Sequence, residues 1–139
     1  MLIKEIPCRD ALFSKILSDG PNSIIEIGDN CRLNGVYVHC EKMIKIGHNC
    51  VIASGVNILD SNGHILESND RTKGRDIPQS IQIGNNVWIG INAIILKGSR
   101  LGDNCVVSAG SVVRGTFPND SLIVGNPGKV VKKLNIVSK

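Results

Sequence analysis

Ile-Gly-Asn-Asn-Val-Trp-Ile-Gly (residues 83–90) opens a stretch in which every sixth residue is aliphatic, without a break up to Pro118. A period of six residues fits neither an α-helix nor an amphipathic strand, and fixed periods of this kind are typical of solenoids. The sequence therefore predicts a column of stacked coils made of short strands. The aliphatic positions of the stretch are Ile83, Ile89, Ile95, Leu101, Val107 and Val113.

The first five residues of this stretch belong to a motif that occurs in three other places. Successive copies are separated by 19, 37 and 18 residues, so eighteen residues, or three short strands, make one coil. One residue is inserted in the first coil and about nineteen follow the second. We therefore expect about four coils. The other copies are Ile-Gly-Asp-Asn-Cys (27–31), Ile-Gly-His-Asn-Cys (46–50) and Leu-Gly-Asp-Asn-Cys (101–105).

The same period divides the chain of 139 residues, whose length suits a single domain. We expect an N-terminal cap over residues 1–22, including a short helix from Asp10 to Leu17, and a β-helix over residues 23–118. A polar loop over residues 64–82 interrupts the β-helix, and residues 119–139 form a turn and a tail. Because polar excursions from a regular scaffold commonly carry function, we expect the site at this loop.

Two residue types recur at the predicted corners of the coils. Glycine and asparagine tolerate left-handed backbone angles, which a sharp corner between short strands requires. We therefore expect both sets to serve the corners. The sets are Gly28, Gly47, Gly84 and Gly102, and Asn30, Asn49, Asn86 and Asn104.

Cysteines share one phase of the repeat, and we expect their thiols to face the coil interior as small apolar groups. No C-x-x-C pair is present, so the pattern does not favour a disulfide or a metal site at Cys8 or Cys40 either. The phase contains Cys31, Cys50, Val87 and Cys105.

The net charge of +4 has its excess in the tail, where lysines occur without acidic residues after Asp120. No aromatic platform or recognition helix accompanies them, so nucleic-acid binding is not expected; a solvated end or a small polyanionic ligand remains. No segment has the length and hydropathy of a membrane span, and the N-terminus lacks a signal-peptide core, which makes the cytoplasm the expected location. The lysines are Lys129, Lys132, Lys133 and Lys139.

Three motifs in order, at residues 83–90, 108–113 and 124–129, resemble the end of the hexapeptide-repeat acyltransferases. The resemblance covers roughly residues 24–134 and is to the galactoside, maltose and polysaccharide O-acetyltransferases in particular. It implies a left-handed parallel β-helix, a hand that the spacing alone does not give because parallel crossovers are nearly always right-handed. It also implies a homotrimer with acetyl-coenzyme A bound between neighbouring subunits.

The family places a catalytic histidine where a loop leaves the coil, and His64 matches that position. Acetyl transfer from a thioester to a hydroxyl needs a base, and a neutral imidazole suits this task near neutral pH. Asp60 or a backbone carbonyl is expected to hold the other ring nitrogen. Asn62 either binds the acceptor sugar or shapes the turn. Glu41 falls near the place of an acceptor-binding carboxylate in related enzymes.

The two other histidines have no comparable motif. His48 occupies an exposed corner position, and His39 lies in the coil that contains the one-residue insertion. A zinc site of three histidines, as in the β-helical carbonic anhydrases, would require two further histidines after the loop. None follows His64, so no metal is predicted.

The resemblance also assigns coenzyme contacts. Alternation points Trp88 outward, where it would border the pantetheine arm, with a subunit contact as the alternative. Ala93 and Ala109 match small residues whose backbone lies beside that arm. Lys129 and Arg114 are the candidate phosphate ligands, although Arg114 stands where the family has threonine.

These residues predict an acetyltransferase that moves acetyl from acetyl-coenzyme A directly to a sugar or polysaccharide hydroxyl in a ternary complex. The alternatives are N-acylation of an amino sugar by the same base and a non-catalytic β-helical scaffold. A scaffold has no need of His64 and Trp88 beside a polar loop.

Overall fold

The computed structural model describes residues 14–138, which form sixteen short strands. Within these residues there is no helix that is long and apolar enough to cross a membrane. The strands are β1 (Lys15–Ser18), β2 (Ile24–Ile27), β3 (Arg32–Leu33), β4 (Tyr37–Cys40), β5 (Met43–Ile46), β6 (Val51–Ile52), β7 (Asn57–Leu59), β8 (Ile81–Ile83), β9 (Trp88–Ile89), β10 (Ile94–Ile95), β11 (Arg100–Leu101), β12 (Val106–Val107), β13 (Val112–Val113), β14 (Thr116–Phe117), β15 (Ser121–Gly125) and β16 (Gly128–Lys133).

The strands form three sheets, and each coil contributes one strand to each sheet. Sheet 1 contains β1, β4, β7, β10 and β13; sheet 2 contains β2, β5, β8, β11 and β14; sheet 3 contains β3, β6, β9, β12, β15 and β16. All neighbours are parallel except β15 and β16, which form an antiparallel hairpin at one end of the column. The predicted fold class, a left-handed parallel β-helix, is confirmed.

The column has five coils rather than the predicted four. Residues 15–17, expected in a helix, belong instead to β1, which pairs in parallel with β4, and β15 completes the fifth coil. The coils therefore extend past residues 23–118 at both ends. Neither end strand carries the corner motif, but the open edge of a terminal coil can pair with any extended segment. The remainder of the expected helix and cap lies outside the described residues.

The interior is a set of aliphatic ladders in which the cysteine phase takes part as predicted. Cys31, Cys50, Val87 and Cys105 are each at most 1% exposed. Contact with Cys31 and burial raise the pKa of the Cys50 thiol, and burial raises the pKa of the Cys105 thiol. The inward direction of this phase is therefore confirmed.

Asparagine and glycine serve the corners for different reasons. Asn30, Asn49, Asn86 and Asn104 have φ between 54° and 61°, so the left-handed prediction is confirmed for asparagine. The four corner glycines do not have positive φ, and that part of the prediction was wrong. They are needed for close stacking, because a Cβ on Gly84 would lie 2.8 Å from the backbone carbonyl carbon of Gly102.

Sheets 2 and 3 present different outer surfaces. On sheet 2 the outward side chains form a polar row in which Lys45 pairs with Glu26 at 3.4 Å and Arg100 donates to Gln82 at 2.6 Å. On sheet 3 the corresponding row is apolar between Arg32 at one end and the hairpin at the other. That apolar row contains Val51, Trp88, Val106 and Leu122.

Candidate active site

The longest departure from the coils is the segment 60–80, which joins β7 in sheet 1 to β8 in sheet 2. It begins and ends slightly earlier than the predicted loop 64–82. The amide of Gln79 donates to the carbonyl of Asp60 at 2.8 Å, so the two limbs of the loop meet at its base. His64 lies just beyond this base.

The imidazole of His64 is exposed and is held at one nitrogen. Its Nδ1 lies 2.9 Å from the carbonyl oxygen of Arg71, on the opposite limb of the loop. A carbonyl oxygen can only accept, so Nδ1 carries a hydrogen, and in the neutral imidazole Nε2 then keeps a free lone pair. This tautomer leaves Nε2 available as a base.

Of the two predicted partners for His64, the structure therefore provides a backbone carbonyl and not Asp60. The Asp60 carboxylate is fully buried and accepts hydrogen bonds from the amides of Glu41, Lys42 and Met43 at 2.8, 2.7 and 3.0 Å. The orienting role predicted for Asp60 is corrected accordingly. A buried carboxylate needs several donors, and the turn before β5 supplies them.

Glu41 lies in this turn, and its side chain contacts the loop. Its side chain is 8% exposed, and its Oε1 accepts from Arg75 at 2.6 Å, while the same guanidinium lies 3.5 Å from Asp19. The carboxylate of Glu41 raises the pKa of Arg75. Asp19, His39 and Glu41 together have a donor set close enough for a metal ion, but the guanidinium already supplies a cation there. Glu41 thus borders the loop, as an acceptor-binding residue would.

Asn62 serves the loop through its backbone. Its amide donates to Asp76 Oδ2 at 2.9 Å, and its side chain is exposed. The backbone shapes the turn, and the side chain remains free for a ligand.

Trp88 points outward from sheet 3, as strand alternation predicts, and is 55% exposed. It stands between Val51 and Val106 on the neighbouring coils. An apolar groove of about 380 Å³ runs along this face. Its lining includes Ala53, Trp88, Ile91, Val106, Ala109 and Leu122.

The other predicted coenzyme ligands are spread over the column. Ala109 lines the groove, whereas Ala93 is fully buried and uses its carbonyl to accept from the Asn57 amide at 3.0 Å, which argues against a ligand contact. Arg114 is exposed at the corner between sheets 1 and 2, and Lys129 is exposed on β16.

A larger depression, of about 560 Å³, lies along sheet 2 and the corner between sheets 2 and 3. Its polar side chains are already paired: Lys45 with Glu26, and His48 Nδ1 with the Asp29 amide at 2.8 Å. It contains neither the loop nor Trp88, and we do not assign the site to it. His48 thereby has a structural role at the corner.

The loop and the apolar groove lie on different sides of one chain. His64 extends from the corner between sheets 1 and 2, whereas Trp88 lies on sheet 3, the face opposite that corner. The structure thus brings Glu41, Asn62 and His64 to one corner and Trp88 and Ala109 to another face. A single chain does not bring these two groups together.

Sequence reasoning missed the residues that hold the loop, namely Arg71, Arg75, Asp76 and Lys97. Arg71, Arg75 and Asp76 lie outside the periodic pattern, and Lys97 occupies a position at which the period does not specify a residue type. A partly buried carboxylate in the loop pairs with a residue about twenty positions away, and no local spacing signals such a pair.

The sequence of this chain is similar to those of known proteins. Residues 80–115 match the family described as "Bacterial transferase hexapeptide (six repeats)". The chain is 36% identical over 114 residues to the galactoside O-acetyltransferase of Escherichia coli (strain K12), with 81% of this chain and 56% of that protein covered.

Two solved structures extend the similarity to three dimensions. A hexapeptide-repeat acetyltransferase from Vibrio cholerae O1 biovar eltor, in complex with acetyl-coenzyme A, has a TM-score of 0.75 and 29% identity over 86% of this chain and 72% of its own. A polysialic acid O-acetyltransferase has a TM-score of 0.70 and 27% identity over 91% and 71% of the two chains. The chain spans 64%, 57% and 56% of the length of three curated relatives that it matches.

Proposed function

Because residues 80–115 match the bacterial transferase hexapeptide family, we propose that this chain transfers acetyl from acetyl-coenzyme A to a hydroxyl of a sugar or polysaccharide. The observation that carries the proposal is the state of His64. Its Nδ1 faces the Arg71 carbonyl at 2.9 Å, so that Nε2 is a free acceptor at the exposed surface of the loop. A structural scaffold would not need an exposed histidine held in one tautomer.

In the proposed reaction, Nε2 of His64 takes the proton of the acceptor hydroxyl as its oxygen attacks the thioester carbonyl carbon. The Arg71 carbonyl keeps the ring oriented and accepts from the imidazolium that forms. When the tetrahedral intermediate collapses, the carbon–sulfur bond breaks and the imidazolium returns the proton to the thiolate. A positioned base of this kind contributes about 10²–10⁴-fold to the rate.

Transfer is direct, without an acyl-enzyme. Cys31, Cys40, Cys50 and Cys105 are all buried, so none of these thiols reaches a groove. Burial and the nearby Asp60 raise the pKa of Cys40 to about 12, which disfavours its thiolate. Reduced, buried thiols and the use of acetyl-coenzyme A favour a cytoplasmic location.

The apolar groove on sheet 3 is the proposed path of the pantetheine arm. Trp88 offers an exposed aromatic face and Ala109 allows close approach of the ligand to the backbone. Lys129 and Arg114 are the proposed partners of the coenzyme phosphates, because exposed cations form charge-assisted hydrogen bonds with phosphate oxygens.

On the acceptor side, Glu41 and Asn62 lie on the same corner as His64. Glu41 presents a carboxylate whose position is fixed by Asp60 through the backbone and by Arg75 through the side chain. Carboxylates and amides are suitable partners for sugar hydroxyls. The acceptor therefore binds between the loop and the turn before β5.

We further propose a homotrimer in which each site is shared between two subunits. His64 and Trp88 lie on opposite sides of one chain, so a neighbouring copy must supply one of them. Sheet 3 leaves Trp88 and Val51 exposed, and burying an aromatic side chain stabilises an interface by about 2–3 kcal/mol. Closed cyclic symmetry produces equal grooves between such copies.

Subunit mixing tests the shared site. His64→Ala and Trp88→Ala subunits, each strongly impaired alone, are co-expressed with different tags and the mixed trimers are assayed. A site formed by two subunits regains both intact residues in about a quarter of the sites of a random mixture. A site contained in one subunit regains none.

Release of free thiol from acetyl-coenzyme A in the presence of a panel of mono- and oligosaccharides tests the activity itself. Thiol release that depends on a sugar, with an ester in the product, supports the proposal. An amide product from amino sugars only would favour N-acylation. If no thiol release depends on a sugar, the result would favour the alternative of a non-catalytic scaffold.

A further inference from the structure

The second limb of the loop contains a shielded ion pair. Asp76 Oδ2 lies 2.6 Å from the Nζ of Lys97, and the two side chains are 14% and 11% exposed. Lys97 lies at the corner between β10 and β11, one coil beyond the loop. The pair therefore connects the loop to the regular column.

The same carboxylate oxygen also accepts from the Asn62 amide at 2.9 Å, on the first limb of the loop. Lys97 donates in addition to the Ile77 carbonyl at 3.2 Å, and the amide of Gly98 donates to the Gln79 carbonyl at 3.1 Å. Both limbs of the loop and the corner of the next coil thus meet at one carboxylate. His64 lies two residues after Asn62.

We propose that Asp76 and Lys97 are positioning residues, which fix the first limb of the loop at Asn62 and so hold His64 where it can accept the acceptor proton. The proposal rests on the proposed role of His64 as the base. Asp76 closes the loop between residues 62 and 76, and the His64–Arg71 hydrogen bond lies inside this closed segment.

The directions of neighbouring side chains support a positioning role. Arg75 reaches back to Asp19 and Glu41, whereas Asp76, the next residue, reaches forward to Lys97. The loop is thereby fixed from both directions along the corner. Loss of the forward anchor displaces His64, and a displacement near 1 Å can lower a rate by about 100-fold.

The first variant is Asp76→Ala, which removes the anchor. We expect kcat to fall by about 10–100-fold while the KM for acetyl-coenzyme A stays within about twofold, because the coenzyme groove lies on another face. Asp76→Asn retains an oxygen for the Asn62 amide and is expected to recover part of kcat. Lys73→Met is the matched control: it removes an exposed pair, Lys73–Asp70 at 3.5 Å, from the same loop and should leave kcat unchanged.

In Asp76→Ala the partly buried Lys97 ammonium group has lost its carboxylate partner, and this unpaired charge could impair folding. The double variant Asp76→Asn with Lys97→Met avoids this, because it removes both charges and retains the acceptor for the Asn62 amide. Its thermal transition is compared with that of the parent before kcat is measured. Folded protein with lowered kcat supports positioning, whereas folded protein with parental kcat overturns the role of the charge pair.

A readout other than activity separates this proposal from the proposed function. The imidazole signals of His64 are followed by NMR in Asp76→Ala, with His39 and His48 as internal references. We expect the His64 signals to shift or broaden, since the Arg71 hydrogen bond is loosened, and the reference signals to stay in place. If His64→Ala retains turnover, the base assignment fails, even where the signals move. If the His64 signals and kcat of Asp76→Ala both match the parent, the positioning proposal is overturned while the base assignment stands.

Discussion

The coils and the loop 60–80 are held together in different ways. In the coils, each inward side chain packs on its equivalents in the coils above and below, so one environment is repeated many times. In the loop, each anchor is unique: Asp60 caps the turn before β5, Arg75 pairs with Glu41, and Asp76 pairs with Lys97. The coils therefore supply stability as a sum of similar interfaces, and the loop supplies geometry at one point.

This difference predicts two classes of variant. Changes in the coils should lower the free energy of unfolding and leave the chemistry of the remaining folded protein intact. Changes in the loop should lower turnover with little effect on unfolding. Each experiment below is designed around these two quantities. A coil variant that lowers turnover of the folded protein, or a loop variant that mainly lowers the free energy of unfolding, would contradict this distinction.

The largest effect is expected for His64→Ala, which should lower turnover by at least about 100-fold through loss of the base. Binding of acetyl-coenzyme A, measured by calorimetry, should persist, and the melting temperature should change little because the side chain is exposed. His48→Asn is the matched control, since asparagine can still accept from the Asp29 amide. Near-parental turnover of His64→Ala would show that His64 in the loop is not the catalytic base.

Gly84→Ala should have the largest effect on stability. The new Cβ would lie 2.8 Å from the backbone carbonyl carbon of Gly102, and overpacking of this kind costs about 1–3 kcal/mol. Gly110→Asn is the control, because Asn92 has the same phase one coil earlier and adopts φ of 59°. Denaturant unfolding compares the two. Equal stabilities would show that corner glycines are not needed for stacking.

Cys50→Ser tests the interior ladder. A buried hydroxyl in place of the thiol should lower the free energy of unfolding by about 1–3 kcal/mol. Cys50→Val should cost less, since Val87 fills the same phase in the next coil. The thiols of Cys31, Cys50 and Cys105 should also react slowly with iodoacetamide in the folded protein. Fast labelling of all three without denaturant would contradict their inward direction.

The smallest effect concerns pH. The hydrogen bond from Lys97, together with the Asn62 amide, lowers the pKa of Asp76 below its usual value. A lowered pKa means that this carboxylate stabilises the closed loop above its ordinary pKa and loses the contribution as pH falls through the lowered value. Protection of the Asn62 amide from hydrogen exchange should therefore decrease below about pH 3.9, earlier than that of coil amides. Asp76→Asn should lose this dependence, and an unchanged pH profile in that variant would exclude Asp76 as its source.

Most of the column could be predicted because its rules are local and repeated. The phase of Cys31 predicted an inward thiol, and the phase of Asn30 predicted a left-handed corner. The position of His64 at the start of the loop followed from where the period stops. The strands β1, β15 and β16 were missed, because they lie outside the repeated motif.

The errors fall where a role depends on a partner distant in sequence. Asp60 was predicted to orient His64, yet it caps the turn before β5. Ala93 was predicted beside the coenzyme, yet it is fully buried. In both cases the residue type was compatible with the prediction, and only its neighbours in space decided otherwise.

By itself, the sequence determined the coil period, the asparagine corners, the cysteine ladder and the place of the loop, because each depends on a residue and its counterpart a fixed number of positions away. The tertiary structure alone decided which atoms meet at His64. The Arg71 carbonyl and the Asp76–Lys97 pair are brought there by the path of an irregular loop over the corner. The contacts of a loop without a period cannot be predicted from local sequence spacing, since they form only when the column positions both ends of the loop.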